Sequence, residues 1–96
     1  EIDIVAADRQ MKTIIFVEVK TRVSQDHGHP ADAVTPEKQH RISRTALAYL
    51  KHHGLLEACA VRFDVVAITW PKGQRIPKIE HLEAAFEGTG QFQLFS

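Results

Sequence analysis

Phe16-Val17-Glu18-Val19-Lys20 sets a carboxylate and an ammonium one residue apart inside an apolar, β-branched run. On a strand such positions project from the same face. Charge is expensive to bury there unless it is paired. Glu1-Ile2-Asp3 offers a second carboxylate one strand earlier. Two converging carboxylates suit a hard cation, since magnesium keeps several waters and takes only one or two protein carboxylates. Asp3 and Glu18 can supply those ligands for magnesium or manganese, with the carbonyl of Val19 as a candidate third oxygen. A cation held there would polarise a phosphate and acidify a water. Lys20 beside it could position or deprotonate that water, or stabilise developing charge. The competing structural reading is a cross-strand ion pair of Glu18 and Lys20 at a sheet edge, worth about 0–1 kcal/mol when exposed.

Whether the carboxylates can meet depends on a hairpin. Ile2 to Ala7 reads as a strand, Asp8 to Met11 as a turn, and Thr13 to Thr21 as a longer strand rich in Ile, Val and Phe. So short a connection makes the pair antiparallel. A four-residue loop from Arg9 to Lys12 sets Ala7 opposite Ile14, Val5 opposite Phe16 and Asp3 opposite Glu18. A two-residue loop puts Asp3 opposite Phe16, still on the face of Glu18. Three-residue loops break the alignment. Val5, Ala7, Ile14 and Phe16 make one face apolar, and Ile2, Ile4, Ile15, Val17 and Val19 the other, the pattern of a sheet covered on both sides.

Ser24 to Asp32 carries Gly28 and Pro30 without apolar periodicity and reads as a mobile loop after the candidate strand. Thr35 is then an N-cap, Pro36 the first helical residue, and Glu37 a favourable charge for the dipole. Ile42, Ala46, Tyr49 and Leu50 form an apolar stripe, and Gly54 suits the left-handed stop after His52-His53. Val61 to Thr69 is a third strand, Pro71 to Gln74 a turn, and a short strand is expected around Ile76. Ile79 to Phe86 is expected to form a final short helix. Asp64 lies two residues from Arg62, so the two point the same way, and a structural ion pair is favoured over a metal role.

The 96 residues, 44% hydrophobic and 25% charged, fit one small globular domain rather than a disordered tail. No apolar run approaches the roughly 20 residues that span a bilayer, and no signal peptide opens the chain. One cysteine, Cys59, cannot form an internal disulfide, which points to a reducing cytoplasm. It reads as a small buried packer. His27, His29, His52 and His53 lack the spacing of a zinc site. The formal net charge is zero, yet Lys38, Arg41, Arg44 and Lys51 gather on one helix while Glu80, Glu83 and Glu87 lie far along the chain. One basic face is compatible with that neutrality. The chain opens inside a strand without a methionine, so a segment is expected ahead of it.

Four segments carry a resemblance: Glu1 to Ala6, Phe16 to Arg22, Val34 to Gln39, and Arg62 to Val66. In that order they resemble the YraN-type family of small bacterial proteins, similar in fold to archaeal Holliday junction resolvases and restriction endonucleases. The resemblance covers nearly the whole chain. It implies an α/β domain with a restriction-endonuclease-like core, a mixed central sheet flanked by helices, and Asp3, Glu18 and Lys20 at the core positions. Such families normally begin with a further helix carrying another acidic residue, which has no counterpart here.

The nucleic-acid contacts read less sharply. Lys38 and Arg41 sit in the first turns of the helix, where N–H groups and the dipole favour an anion. Phosphate contact competes there with a solvated face, and the resemblance favours contact for Lys38. Gln39 is a weaker candidate. Arg22 could join the face of Lys20 or simply lie on the surface, and Trp70 could stack on a base or pack against the strand it closes. For Arg44 and Lys51 a solvated face is favoured. The leading expectation is a magnesium- or manganese-dependent nuclease hydrolysing DNA phosphodiesters, branched DNA included. The rivals are an inactive nucleic-acid-binding protein of the same fold and an assembly protein that pairs with a partner. Self-association through the hairpin is a further expectation, and a membrane partner is not.

Overall fold

The computed structural model describes residues 2–24, 32 and 34–89. They form strands β1 (Ile4–Asp8) and β2 (Thr13–Arg22), helix α1 (Pro36–His52), and strands β3 (Ala60–Thr69) and β4 (Lys78–Phe86). The sheet runs β1-β2-β3-β4, with β2 and β3 parallel and both outer pairs antiparallel. Parallel neighbours need a long crossover, and α1 lies within it. The result is a mixed-sheet α/β fold compatible with a restriction-endonuclease-like core.

The hairpin has the four-residue connection, pairing Ala7 with Ile14 and Val5 with Phe16. Asp8 accepts the Met11 N–H at 3.2 Å, and Lys12 takes a positive φ of 50° to close the turn. An acidic residue opening a turn by bonding its own backbone is the usual device.

Parallel register sets Phe16 beside Phe63, Glu18 beside Val65 and Lys20 beside Ala67, so these six share one face. Helix α1 covers that face. Ile42, Ala46 and Leu50 are buried in one cluster with Phe16, Val34, Phe63 and Val65. Phe16 stacks on Phe63 at 5.7 Å and meets the edge of Tyr49 at 5.8 Å. The opposite face carries Val17, Val19, Val66 and Ile68, and no helix covers it among the described residues. Coverage of both faces was the reading of the hairpin; the described residues supply it on one. Most of the Ser24–Asp32 loop, with His27 and His29, lies outside the described residues. No described helix is long and apolar enough to cross a membrane.

The helix starts and stops where its caps dictate. The Thr35 hydroxyl accepts the Lys38 N–H at 3.2 Å, Pro36 opens the first turn, and Gly54 follows the His53 cap at φ +67°. Thr35→Ala removes a partner from an otherwise orphaned N–H and should cost about 1 kcal/mol in urea denaturation. A loss below a few tenths would mean that the turn is held by packing alone.

Ile79 to Phe86 is not a helix. It is edge strand β4, antiparallel to β3, and Ile76 lies in the bend before it. The error has a physical origin. Val65 faces Leu82 but Phe63 faces Phe86, so an irregularity around Asp64 admits two extra residues on β4. Its apolar residues therefore recur four apart, as on a helix, although both sit on one sheet face.

Asp64 holds that irregularity. Its side chain is fully buried and takes Arg62 in two bonds of 2.8 and 2.9 Å, the His81 ring at 2.7 Å and the Ala84 N–H at 2.9 Å. Ala84 adopts a positive φ of 49°, which aims its N–H inward. The ion pair favoured by the sequence is present, extended by two groups from β4. Cys59 is half-buried and bonds the Leu55 carbonyl through its thiol at 3.4 Å.

Candidate active site

Asp3 lies just before β1, and the hairpin register carries it to Glu18. Its Oδ2 accepts the Val19 N–H at 2.8 Å. That bond ties the start of the chain to the middle of β2. The Val19 amide, with the neighbouring Glu18 and the lysines Lys38 and Lys20, holds Asp3 below the usual carboxylate range. Asp3 is exposed, so its side chain reaches solvent from the edge of the sheet.

Glu18 is the opposite case. It is 6% exposed, one alternation beyond Phe16 on the core face. Burial, then the neighbouring Asp3, pushes its carboxyl up, against the pull of Lys38 and Lys20. Its Oε1 lies 3.6 Å from the Lys38 ammonium, while its Oε2 is buried without a hydrogen-bond partner. Buried acceptors left unsatisfied are uncommon in native proteins, and this one lies where two carboxylates meet.

Lys38 reaches Glu18 for a reason visible in the helix. Positions 38, 42, 46 and 50 recur every four residues, and the last three are buried against the sheet. The lysine therefore stands on the core-facing stripe, above the place where Glu18 and Lys20 replace apolar residues on β2. The sequence supplied this signal, but reading Lys38 only as a first-turn cation missed its partner. Lys38 is also the main influence on Lys20: together with burial, its closeness pushes the Lys20 ammonium down.

The structure thus gathers Asp3, Glu18, Lys20 and Lys38 at one point. The weaker candidates lie on β2, on α1 and after β3. Arg22 lies farther along the same face and donates to the Thr69 hydroxyl at 3.1 Å. Gln39 donates its side-chain amide to the Val34 carbonyl at 2.9 Å, which fixes the entry to the helix. Arg41 is exposed on the first turns of α1. Trp70 gives its indole N–H to the Gln74 carbonyl at 2.8 Å, closing the turn after β3. A cavity of about 390 Å³ lined by Leu56, Val61, Arg62, Phe63 and Phe86 shares no residue with the cluster.

Among the described residues no group of three or more His, Cys, Asp or Glu side chains forms a ready cage for an ion. Two carboxylates are nonetheless the protein complement that magnesium commonly uses, with waters completing the octahedron. The orphaned Glu18 Oε2 and the two opposed acids fit such a cation.

The sequence profile described as "Uncharacterised protein family UPF0102" matches residues 1–68. A UPF0102 protein of Rhodopirellula baltica is 48% identical over 91 residues, covering 94% of this chain and 54% of the relative. One of Geobacter metallireducens is 56% identical over 87 residues, with 91% and 67% covered. One of Geobacter sulfurreducens is 53% identical over 87 residues, with 91% and 65% covered. The chain spans between about half and two thirds of the length of these relatives.

Proposed function

Because this chain belongs to the uncharacterised protein family UPF0102, the YraN-type proteins that its motifs resemble, we propose from the site itself that it is a metal-dependent nuclease acting on DNA. One observation carries the reading. A buried glutamate with an unsatisfied oxygen faces a second carboxylate, and two lysines stand beside them.

Asp3 and Glu18 would hold magnesium or manganese, with the Val19 carbonyl as a further oxygen. The cation, when bound, supplies the charge that polarises a phosphate and acidifies a water. Lys20 is suited to handling a proton, because the positive Lys38 beside it and its burial make its ammonium easier to deprotonate. Lys38 and Arg41 lie at the start of α1, where backbone N–H groups already favour a phosphate. Arg22 and Gln39 extend the surface on either side of that point.

The test is incubation of this chain and of the full-length Geobacter metallireducens relative with linear, flapped and branched DNA, with each metal in turn. Cleavage is expected to require the metal and to vanish in Lys20→Ala. Retained salt-sensitive DNA binding without cleavage in any metal would replace the nuclease by a binding protein of the same fold. Neither binding nor cleavage would leave the assembly reading.

A further inference from the structure

We infer that the Lys38 ammonium is the resident counter-ion of the Asp3–Glu18 pair, and that a divalent cation takes its place by displacing it. The inference rests on the metal reading above and adds an exchange step to it. Without a divalent ion, the two acids and the two lysines make a cluster of zero formal charge. A divalent cation entering such a cluster must compete with an ammonium already present.

Geometry selects Lys38 as the group that leaves. Among the described residues it is the cation in ion-pair range of Glu18, whereas Lys20 makes no such contact with either acid. The separation of 3.6 Å is a charge contact, too long for a hydrogen bond, so the lysine is held without the directional bond that would fix it there. The other Glu18 oxygen stays buried and unmatched, which means that the lysine satisfies the carboxylate only in part. Lys38 also has somewhere to go. Its side chain is 23% exposed, and its backbone is fixed by Thr35, so the ammonium can swing outward without disturbing the helix. Swung out, it remains at the helix N-terminus, the place suited to a phosphate.

Two measurements with manganese alone test the exchange. The first is calorimetric titration of wild type, Lys38→Met and Lys20→Met. If the lysine-held form is about nine-tenths populated, Lys38→Met should bind about tenfold tighter, because the apparent affinity falls with the competent fraction. Lys20→Met removes a nearby charge without breaking the contact to Glu18, and should tighten binding by less. The second is the acylation rate of individual lysines, read by peptide mass spectrometry. Manganese should raise the rate at Lys38 several-fold and leave exposed Lys51 unchanged. Equal tightening in both variants, or a Lys38 rate that manganese does not raise, would overturn the exchange while leaving metal binding intact. No heat from manganese in wild type or either variant would instead remove the metal reading, and the exchange with it. Should Lys38→Met fold poorly, Lys38→Gln serves the same comparison.

Discussion

Arg62→Met should destabilise the protein markedly, because it leaves a buried carboxylate without its cation. The remaining partner sets that cost. Asp64 is wholly buried and keeps only His81 and the Ala84 N–H once the guanidinium is gone. A domain of 96 residues has about 5–15 kcal/mol in total, so the loss should show as a clear drop in melting temperature. The pH dependence identifies the cause. Burial alone would raise the Asp64 carboxyl, but Arg62, the Ala84 N–H and His81 overturn that and hold it below its ordinary value. A depressed carboxyl contributes stability above the unfolded value near 4, and loses it as pH falls through the folded value. The gap between wild type and Arg62→Met should therefore be full at neutral pH and narrow below about pH 4. An unchanged melting temperature would mean that the two β4 groups satisfy Asp64 unaided.

The same residues explain what the sequence made legible and what it hid. The shared face of Asp3 and Glu18 followed from alternation across an even-length turn, while the choice of the four-residue loop over the two-residue one came from the structure. Helix bounds followed from Thr35, Pro36 and Gly54, because each performs a local task that does not depend on tertiary contacts. Strand β4 was hidden because its bulge is set by Asp64, a residue of another strand. No spacing within 79–86 announces that an N–H at residue 84 will turn toward a buried carboxylate. That the described residues cover only one face of the sheet was hidden too, since alternation reports that a face is apolar and not what covers it. Within the site, residue types were readable and partnerships were not. Lys38 has the same sequence whether it meets solvent, phosphate or Glu18, and only the packing of the 42-46-50 stripe decides.

Glu18→Gln should move stability in opposite directions with and without a divalent ion. In the metal-free protein, burial and Asp3 raise the Glu18 carboxyl above its unfolded value. A raised carboxyl favours folding only below the unfolded value near 4.3, and that advantage is lost as pH rises through the folded value. Above the folded value the ionised, half-satisfied glutamate is thus a burden. An amide of the same shape removes the buried charge, leaves Lys38 able to turn to solvent, and should melt higher in the presence of a chelator. That gain should shrink toward pH 4, where wild-type Glu18 is itself protonated. Manganese reverses the order. A ligand at a hundred times its dissociation constant stabilises the folded state by about 2.7 kcal/mol, and wild type should gain that much. The variant should gain almost nothing, because a neutral amide leaves Asp3 as the one acid at the site. Sacrificing apo stability for a charged, under-satisfied group is what a binding site requires and a structural ion pair does not. Thermal melts of both proteins, with chelator and with manganese at two pH values, separate the alternatives. If Glu18→Gln melts lower than wild type under chelator and both gain equally from manganese, Glu18 is a structural partner of Lys38 and the cation binds elsewhere.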